Sequence, residues 1–437
     1  MSAKVRIALL ALIGAAILSV AAAFTIPQLP PSGEDKAVYH WSQNLTIAPP
    51  EAGKQRAETT LATDKDGRVW LSYLDTDYSR GSPSQGGLSA LWMAWPRRLT
   101  VVSSDDQGKT FGNATVLSSM GGNASFTTDP DGNLYASWVQ YSYDGHKHLD
   151  NRIVAARLGG QSSVQKLAEL QCPVWSWPVE HDQSNLTVSS DGTIHIVGLD
   201  IYMRALPSDR LIQRLLYARS NDGLKSCANL IRLQAVGQLP VLVSTRDALL
   251  IVGSIGFYAS ADNGATFGPR QLYHFGDRLA RAAADRSRGV AYVVGDATSG
   301  GLWLNKTADG GKTWQIARVD DARRATAWRF PAITVSTDDR IHVVWMDDRE
   351  GYGAVYHAYS DDGGRHFSKN ERVSDRPFPF PSDSPPPPPA NQKGTWVGDY
   401  LSVTTVADKV VVAWSDQRAG HSLSAVYAAV GSPKTIP

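Results

Sequence analysis

The residues with the clearest chemical potential are aromatic rings beside charged groups, in irregular segments between strand-like runs. Six of them define a candidate ligand-binding surface: Trp175, Trp177, Tyr202, Asp348, Arg349 and Tyr352. An aromatic face next to hydrogen-bonding charges suits a polar ligand such as a glycan. The alternative is that they are solvated loop residues without a ligand, which is the simpler interpretation of any one of them taken alone.

Neither the histidines nor the cysteines offer a metal site, and the charge balance argues against nucleic acid. His146 and His148 have no third ligand nearby, and the spacing of Cys172 and Cys227 fits no zinc motif. The 43 basic residues almost balance the 42 acidic ones, leaving a formal net charge of +1, whereas phosphate binding needs a clustered basic excess. We therefore predict no cofactor, no metal and no nucleic-acid partner.

Two patterns recur along the chain and predict the elements that position these residues. The first is a tight turn before an apolar strand, as in Asp66-Gly67 before Val69-Trp70-Leu71, and it marks seven units between about residues 56 and 430. Asp-Gly between apolar runs signals a hairpin, because Gly tolerates the positive φ of the turn. The second is an octad of the form Ser/Thr-x-Asp-x-Gly-x-Thr-aromatic, with its aspartate at Asp106, Asp262, Asp309 and Asp362 and a degenerate copy around Asp222.

These repeats predict an all-β protein, a β-propeller of seven four-stranded blades over residues 37–432. From Asp222 onward the octads are 40, 47 and 53 residues apart, which suits a four-stranded blade. The last unit lacks an evident fourth strand, and we expect the N-terminal strand at 37–47 to supply it and close the ring. Six blades plus an irregular hairpin is the alternative, because the unit near 241–272 is short. Five consecutive prolines predict an extended surface loop at 376–392.

The octads resemble the Asp box of the sialidase/BNR-repeat family of β-propeller proteins. In that family the Asp box joins the third and fourth strands of a blade, on the face opposite the active site. The resemblance therefore implies that the four aspartates of the octads are structural. It also implies that a ligand site lies on the opposite, loop-rich face.

A sialidase within this family implies three arginines that hold a substrate carboxylate. Its x-Arg-x-Pro motif matches Trp328-Arg329-Phe330-Pro331, while Arg56 and Arg281 occupy comparable places before other innermost strands. Arg329, however, belongs to the sixth unit, whereas the family motif opens the first blade, and no further arginine motif surrounds Arg56 or Arg281. The alternative is that Arg329 and Arg349 are ion-pair partners of Asp347 or Asp416.

The same family implies a tyrosine nucleophile backed by a glutamate, with a loop aspartate as the acid/base, in place of the usual pair of carboxylates. Tyr400 stands at the start of the last innermost strand, where the family's nucleophile lies. The residues that could complete the set are Glu58 or Glu180 as its base and Asp77 or Asp348 as the acid.

The first 24 residues differ in composition from the rest of the chain. Lys4 and Arg6 precede an apolar run that ends in small residues, which is typical of a secretory signal peptide, with an uncleaved membrane anchor as the alternative. Residues 25–36 read as a proline-containing spacer. Either interpretation predicts an exported protein, periplasmic or extracellular. In that setting two cysteines favour a disulfide between Cys172 and Cys227, with two separate thiols as the alternative.

Taken together, the sequence predicts an exported propeller that binds a glycan or an envelope or extracellular protein through its loop-rich face. Contact with a membrane is expected only through the N-terminal segment. The alternative is a sialidase-like exo-glycosidase that uses the arginines and Tyr400. A structural role in the cell envelope is a third interpretation, favoured if the first segment is uncleaved.

Overall fold

The computed structural model describes residues 39–77, 97–143, 148–159, 165–171, 180–203, 211–277, 279–296, 300–323, 327–381, 397–419 and 424–434. Within these ranges the chain forms 29 β-strands and no helix, hence no helix that could cross a membrane. The predicted signal peptide or anchor (1–24), the spacer (25–36) and residues 382–392 of the proline-rich loop lie outside them. The assignments made for those segments therefore stay predictions.

Seven antiparallel sheets follow one another along the chain as the blades of a propeller. Blade 1 contains β3 (Lys54–Thr63), β4 (Val69–Asp77), β5 (Arg97–Ser104) and β6 (Thr115–Ser118). Blade 2 contains β7 (Gly121–Thr128), β8 (Leu134–Tyr143), β9 (His148–Gly159) and β10 (Gln165–Gln171). Blade 3 contains β11 (Glu180–Val188), β12 (Ile194–Met203), β13 (Leu211–Ser220) and β14 (Ala228–Gln234).

Blades 4 to 6 have the same order of four strands. Blade 4 contains β15 (Val241–Ser244), β16 (Leu249–Gly253), β17 (Gly256–Ser260) and β18 (Gln271–Leu272). Blade 5 contains β19 (Ala280–Asp285), β20 (Val290–Asp296), β21 (Leu302–Thr307) and β22 (Gln315–Arg318). Blade 6 contains β23 (Trp328–Val335), β24 (Ile341–Asp347), β25 (Ala354–Ser360) and β26 (Glu371–Arg372). The short unit near 241–272 is therefore a complete blade. The seven-bladed prediction is confirmed, and the six-bladed alternative is wrong.

Blade 7 is completed by the N-terminal end of the described chain. Its own strands are β27 (Ser402–Val406), β28 (Lys409–Asp416) and β29 (Ala425–Pro433), and both β1 (Tyr39–Trp41) and β2 (Leu45–Ala48) pair with β29. The pairing is antiparallel, with Tyr39 opposite Pro433 and Leu45 opposite Ala428. The N-terminal strand therefore closes the ring as predicted and covers the edge that β29 would otherwise expose.

The octads, here called boxes, join the third and fourth strands of blades 1, 3, 4, 5 and 6 and share one hydrogen-bond pattern. In blade 4, Ser260 donates to Asp262 Oδ1 at 2.7 Å, while the backbone N–H and hydroxyl of Thr266 donate to Asp262 at 2.9 and 2.6 Å. These bonds from Thr266, with that from Ser260, lower the pKa of Asp262 to about 2. The carboxylate thus satisfies the backbone of its own turn, as expected of a structural residue.

The degenerate box has the same pattern, with Leu224 in a left-handed conformation (φ 72°) where the complete boxes have glycine. Cys227 takes the place of the aromatic residue and packs beside a buried cluster of blades 2 and 3. Cys227 is not a free thiol. Cys172 lies outside the described residues, so the pairing of the two stays a prediction.

The two faces of the ring differ in their connections. In an antiparallel blade, the turn from first to second strand and the turn from third to fourth lie at the same end. Asn263 of the blade 4 box donates to Asp191, in the first turn of blade 3, at 2.7 Å, which places both kinds of turn on one face, here called the turn face. The first strands begin at the other end, the loop face. Arg56, Arg281, Arg329 and Tyr400 all lie near these beginnings.

Candidate ligand-binding site

The innermost strands of all seven blades enclose a cavity on the axis of the propeller, with a volume of about 150 Å³. Its wall is rich in uncharged hydrogen-bonding side chains, contributed by Thr59, Thr60, Asn123, Ser125, Gln183, Ser184, Asn185, Tyr400 and Ser402. Arg281 is the one charged residue among the described residues that line the cavity. Such a wall can bind the hydroxyl groups of a polar ligand and carries a single positive charge.

Three of the residues that the sequence singled out meet at this cavity. Tyr400 Oη donates a hydrogen bond to Glu58 Oε2 at 3.4 Å, and the Arg281 guanidinium carbon lies 5.4 Å from the centroid of the Tyr400 ring. Tyr400 and Glu58 are both buried. The cluster thus combines a phenol, a carboxylate and a cation from blades 7, 1 and 5.

Arg281 forms no ion pair within the described part of the chain, and its one hydrogen bond there goes to the Ala280 carbonyl at 3.3 Å. Burial lowers the pKa of Arg281, an effect that the nearby Tyr400, Asp399 and Glu58 oppose. A guanidinium nevertheless keeps its charge in proteins. The cavity wall therefore holds a cation whose hydrogen-bonding capacity is largely unused.

The backbone around Glu58 explains how this carboxylate reaches Tyr400. Glu58 has a left-handed conformation (φ 58°) within a bulge, where the register shifts between Ala57 and Thr60. Gly398, two residues before Tyr400, packs directly against it with φ 98°. A Cβ on Gly398 would lie 2.8 Å from Glu58 Cγ and 2.9 Å from its backbone nitrogen. Only glycine fits this contact.

The other two arginines of the predicted carboxylate clasp have different partners and do not line the cavity. Arg56 pairs with Glu51 at 2.6 Å and approaches Asp75 at 3.6 Å. The Arg329 guanidinium lies 5.3 Å from the ring centroid of Phe380, in the segment that leads into the proline-rich loop. Arg281 alone of the three lies in the cavity wall with Tyr400.

Arg349 is held in a clasp at the loop end of blade 6. It bonds the fully buried Asp347 at 2.6 Å and Asp321 at 2.7 Å, and it stacks over the Tyr356 ring at 4.1 Å. This matches the alternative in which Arg349 is an ion-pair partner of Asp347.

Asp348 accepts a hydrogen bond from the Ala327 N–H at 3.0 Å. The Tyr352 hydroxyl donates to Glu350 and accepts from Arg372 at 3.2 Å.

The remaining predicted site residues are placed as follows. Asp77 ends β4, half-buried and opposite Lys54 in the ladder. Glu180 begins β11 and Tyr202 lies in β12, but their side chains are not described. Trp175 and Trp177 lie outside the described residues.

A second clasp at the loop end of blade 7 repeats that of blade 6, and the sequence analysis missed its arginine, Arg418. Trp414 donates to the buried Asp416 at 2.7 Å, and Arg418 bonds Asp416 at 2.7 Å and Asp375 at 2.6 Å. The shared spacing Trp-x-Asp-x-Arg, at Trp345 and at Trp414, was the signal that could have identified Arg418. In blade 7 Arg418 also bonds Asn44 at 2.9 Å, so the clasp reaches the N-terminal strand.

Comparison with known proteins assigns this chain to no family. No protein-family model matches it, and no curated protein matches it. The α-L-arabinanase of Penicillium chrysogenum is 11% identical with a TM-score of 0.47, over 90% of this chain and 98% of that one. The GH93 α-L-arabinofuranosidase of Fusarium graminearum is 12% identical with a TM-score of 0.47, over 89% and 97%.

The sialidase of Trypanosoma rangeli is 10% identical with a TM-score of 0.44, over 91% of this chain and 59% of that one. With identities of 10–12% and TM-scores of 0.44–0.47, these similarities assign neither a family nor a function to this chain. Membership of the Asp-box family therefore stays a prediction based on the octads.

Proposed function

We propose that the protein binds a carboxylate-bearing glycan, with the terminal sugar unit in the axial cavity. The observation that carries this proposal is the position of Arg281, a cation without an ion-pair partner in the described chain, which lies over the Tyr400 ring in the cavity wall. A partly buried cation of this kind is suited to a ligand carboxylate, because charge-assisted hydrogen bonds are the strong ones.

The rest of the wall supports a sugar as the group that carries the carboxylate. Its amides and hydroxyls can form hydrogen bonds with sugar hydroxyl groups. A concave site also suits a small ligand better than it suits the flat surface of a protein partner. The cavity of about 150 Å³ is smaller than the roughly 300–1,000 Å³ of typical ligand pockets. It therefore accommodates one end unit of a glycan.

Titration calorimetry with D-glucuronic acid and D-glucose tests this function, because the two sugars differ only in the carboxylate at C6. We expect the acid to bind more tightly and Arg281→Gln to weaken its binding at least about tenfold, the loss of one charge-assisted hydrogen bond. The matched control is Arg246→Gln, an exposed turn-face arginine paired with Asp247 at 3.0 Å. Equal affinity for both sugars, or equal effects of the two variants, contradicts the proposal.

A second candidate function, a sialidase-like glycosidase, is favoured by the hydrogen bond between Tyr400 and Glu58. In this candidate Glu58 accepts the phenol proton as the Tyr400 oxygen attacks the anomeric carbon. The glycosidic C–O bond breaks, and the departing aglycone oxygen takes a proton from the acid, Asp77 or Asp348. A chromogenic sialoside tests it: hydrolysis should be lost in Tyr400→Phe and retained in Tyr352→Phe. Turnover that persists in Tyr400→Phe rules this candidate out but leaves glycan binding in place.

A further inference from the structure

A repeated backbone feature surrounds the cavity and does not belong to the hairpin turns. At or near the start of five innermost strands, a residue other than glycine has a left-handed φ, between 50° and 58°. Each lies six positions ahead of the residue that opens the following turn, in the pairs Glu58 and Asp64, Asn123 and Asp129, Gln183 and Ser189, Leu239 and Thr245, and Phe330 and Ser336. The five residues therefore form a ring at one height, here called the collar.

The collar is an unusual backbone arrangement. A left-handed conformation costs an ordinary L-residue roughly 1–2 kcal/mol. In four of the five strands it coincides with a bulge, because the ladder register shifts at Ala57/Thr60, Gly122/Ser125, Asp182/Asn185 and Arg329/Ala332. Strained backbone persists where its surroundings enforce it, and it concentrates at functional sites such as ligand clamps.

Hydrogen bonds between neighbouring blades hold the collar in place from blade 1 to blade 4. Thr60 Oγ1 donates to the Ala124 carbonyl at 2.9 Å, and Ser184 Oγ donates to the Asn123 carbonyl at 2.8 Å. The Leu239 N–H donates to Gln183 Oε1. These bonds tie the first strands of blades 1 to 4 to one another at the height of the collar, which favours a preorganised recognition surface.

The side chains of the collar divide into two groups. Leu239 and Phe330 belong to a buried apolar cluster, whereas Glu58, Asn123 and Gln183 are polar and come from the consecutive blades 1, 2 and 3. Asn123 and Gln183 line the same cavity as Arg281 and Tyr400. An amide both donates and accepts hydrogen bonds, which is what neighbouring sugar hydroxyls require.

We propose that the collar is part of the ligand site and that Asn123 and Gln183 contact the ligand, which makes them specificity-determining residues. This inference rests on the proposed glycan-binding function. The test uses Asn123, because changing Gln183 would also remove the hydrogen bond that its side chain accepts from Leu239.

The test replaces Asn123 by glycine, which accepts the left-handed φ and removes only the side chain. We expect D-glucuronic acid to bind Asn123→Gly at least about fivefold more weakly in calorimetry, and a cooperative thermal unfolding transition shows that the variant is folded. Asn123→Asp keeps the side-chain shape but adds a negative charge, and it should weaken binding further. The control is Gln107→Gly, because Gln107 has the same backbone conformation (φ 64°) in a box on the turn face.

The outcomes separate this inference from the proposed function. If the wild type binds D-glucuronic acid and Asn123→Gly binds it equally well, the collar is not a recognition surface, although the cavity still binds the sugar. An equal loss in Gln107→Gly also overturns the inference, because the effect would then come from glycine itself. If the wild type binds neither glucuronic acid nor glucose, both proposals fail.

Discussion

Glu58 and Tyr400 belong to different blades, and their contact depends on a glycine that lies in neither strand. Gly398 precedes β27 and fills the space beside Glu58 in which a methyl group would overlap its Cγ. Because Gly398 is only two residues from Tyr400, the same short segment fixes both sides of the contact. At the scale of single residues, therefore, Gly398 positions the carboxylate.

Gly398→Ala should destabilise the protein by about 1–3 kcal/mol, because it adds both a left-handed alanine and an overlap with Glu58. In a Glu58→Ala background the same change should cost less, since the overlapping Cγ is gone. Urea denaturation of the four proteins of this double-mutant cycle measures the coupling. Additive losses would show that Gly398 does not act through Glu58. Gly112→Ala is the control, because its nearest neighbour atom would be 3.6 Å away and its φ is not left-handed.

The two Trp-x-Asp-x-Arg clasps join blades 6 and 7 to the chain segments that precede them. In each, a fully buried aspartate accepts hydrogen bonds from an indole and a guanidinium, and the arginine also reaches an aspartate in the segment between blades. Burial raises the pKa of both Asp347 and Asp416, while the paired arginines oppose that shift. The positive charge of the arginine therefore balances the negative charge of a carboxylate whose burial alone would be costly.

Arg418→Met should destabilise the protein by about 3–5 kcal/mol, the usual cost of leaving one member of a buried pair without its partner. Adding Asp416→Asn should recover part of that loss, because no charge then remains buried. Chemical denaturation at pH 7 compares the variants. A matched control is Arg365→Met, an arginine with 72% of its side chain exposed. If both arginine variants lose the same stability, the clasp has no special role.

The fold was predictable because its signals are local. The Asp-Gly turns and the octads each specify a hairpin within about ten residues, and their repetition specifies blades. Tyr400, Glu58 and Arg281 were each identified individually as well. The partners of Arg56 and Arg329 were not, since Glu51, Asp75 and Phe380 meet them only through the geometry of the closed ring. The left-handed Glu58 and Gln183 carry no sequence signal, because neither is glycine or asparagine.

At the scale of the whole molecule, the N-terminal strand that closes the ring in blade 7 also contacts blade 6. The Tyr39 N–H donates to both carboxylate oxygens of Glu371, at 2.9 and 3.1 Å, and the Glu371 carboxylate also lies 3.7 Å from His357. Burial raises the pKa of Glu371 to about 7 and lowers the pKa of His357 to about 3. Near neutral pH, this seam therefore holds a neutral imidazole beside a carboxyl group that is partly protonated.

A raised carboxyl pKa makes a stabilising contribution that is complete below the ordinary value of 4.5 and is lost as the pH rises through about 7. Glu371→Gln mimics the protonated form at every pH. The variant should therefore gain stability relative to the wild type between pH 4.5 and 7, by at most about 3 kcal/mol. Above pH 7 the gap should stay constant. Denaturation curves at several pH values measure it, and a gap independent of pH contradicts the assignment.

The direction in which the chain joins the ring has a practical consequence. Tyr39 pairs with Pro433 at the end of β29 that belongs to the turn face, whereas Arg281 and Tyr400 lie near the loop face. A protein captured on a sensor surface through a tag ahead of Tyr39 would therefore keep its cavity open to sugars in the flowing solution.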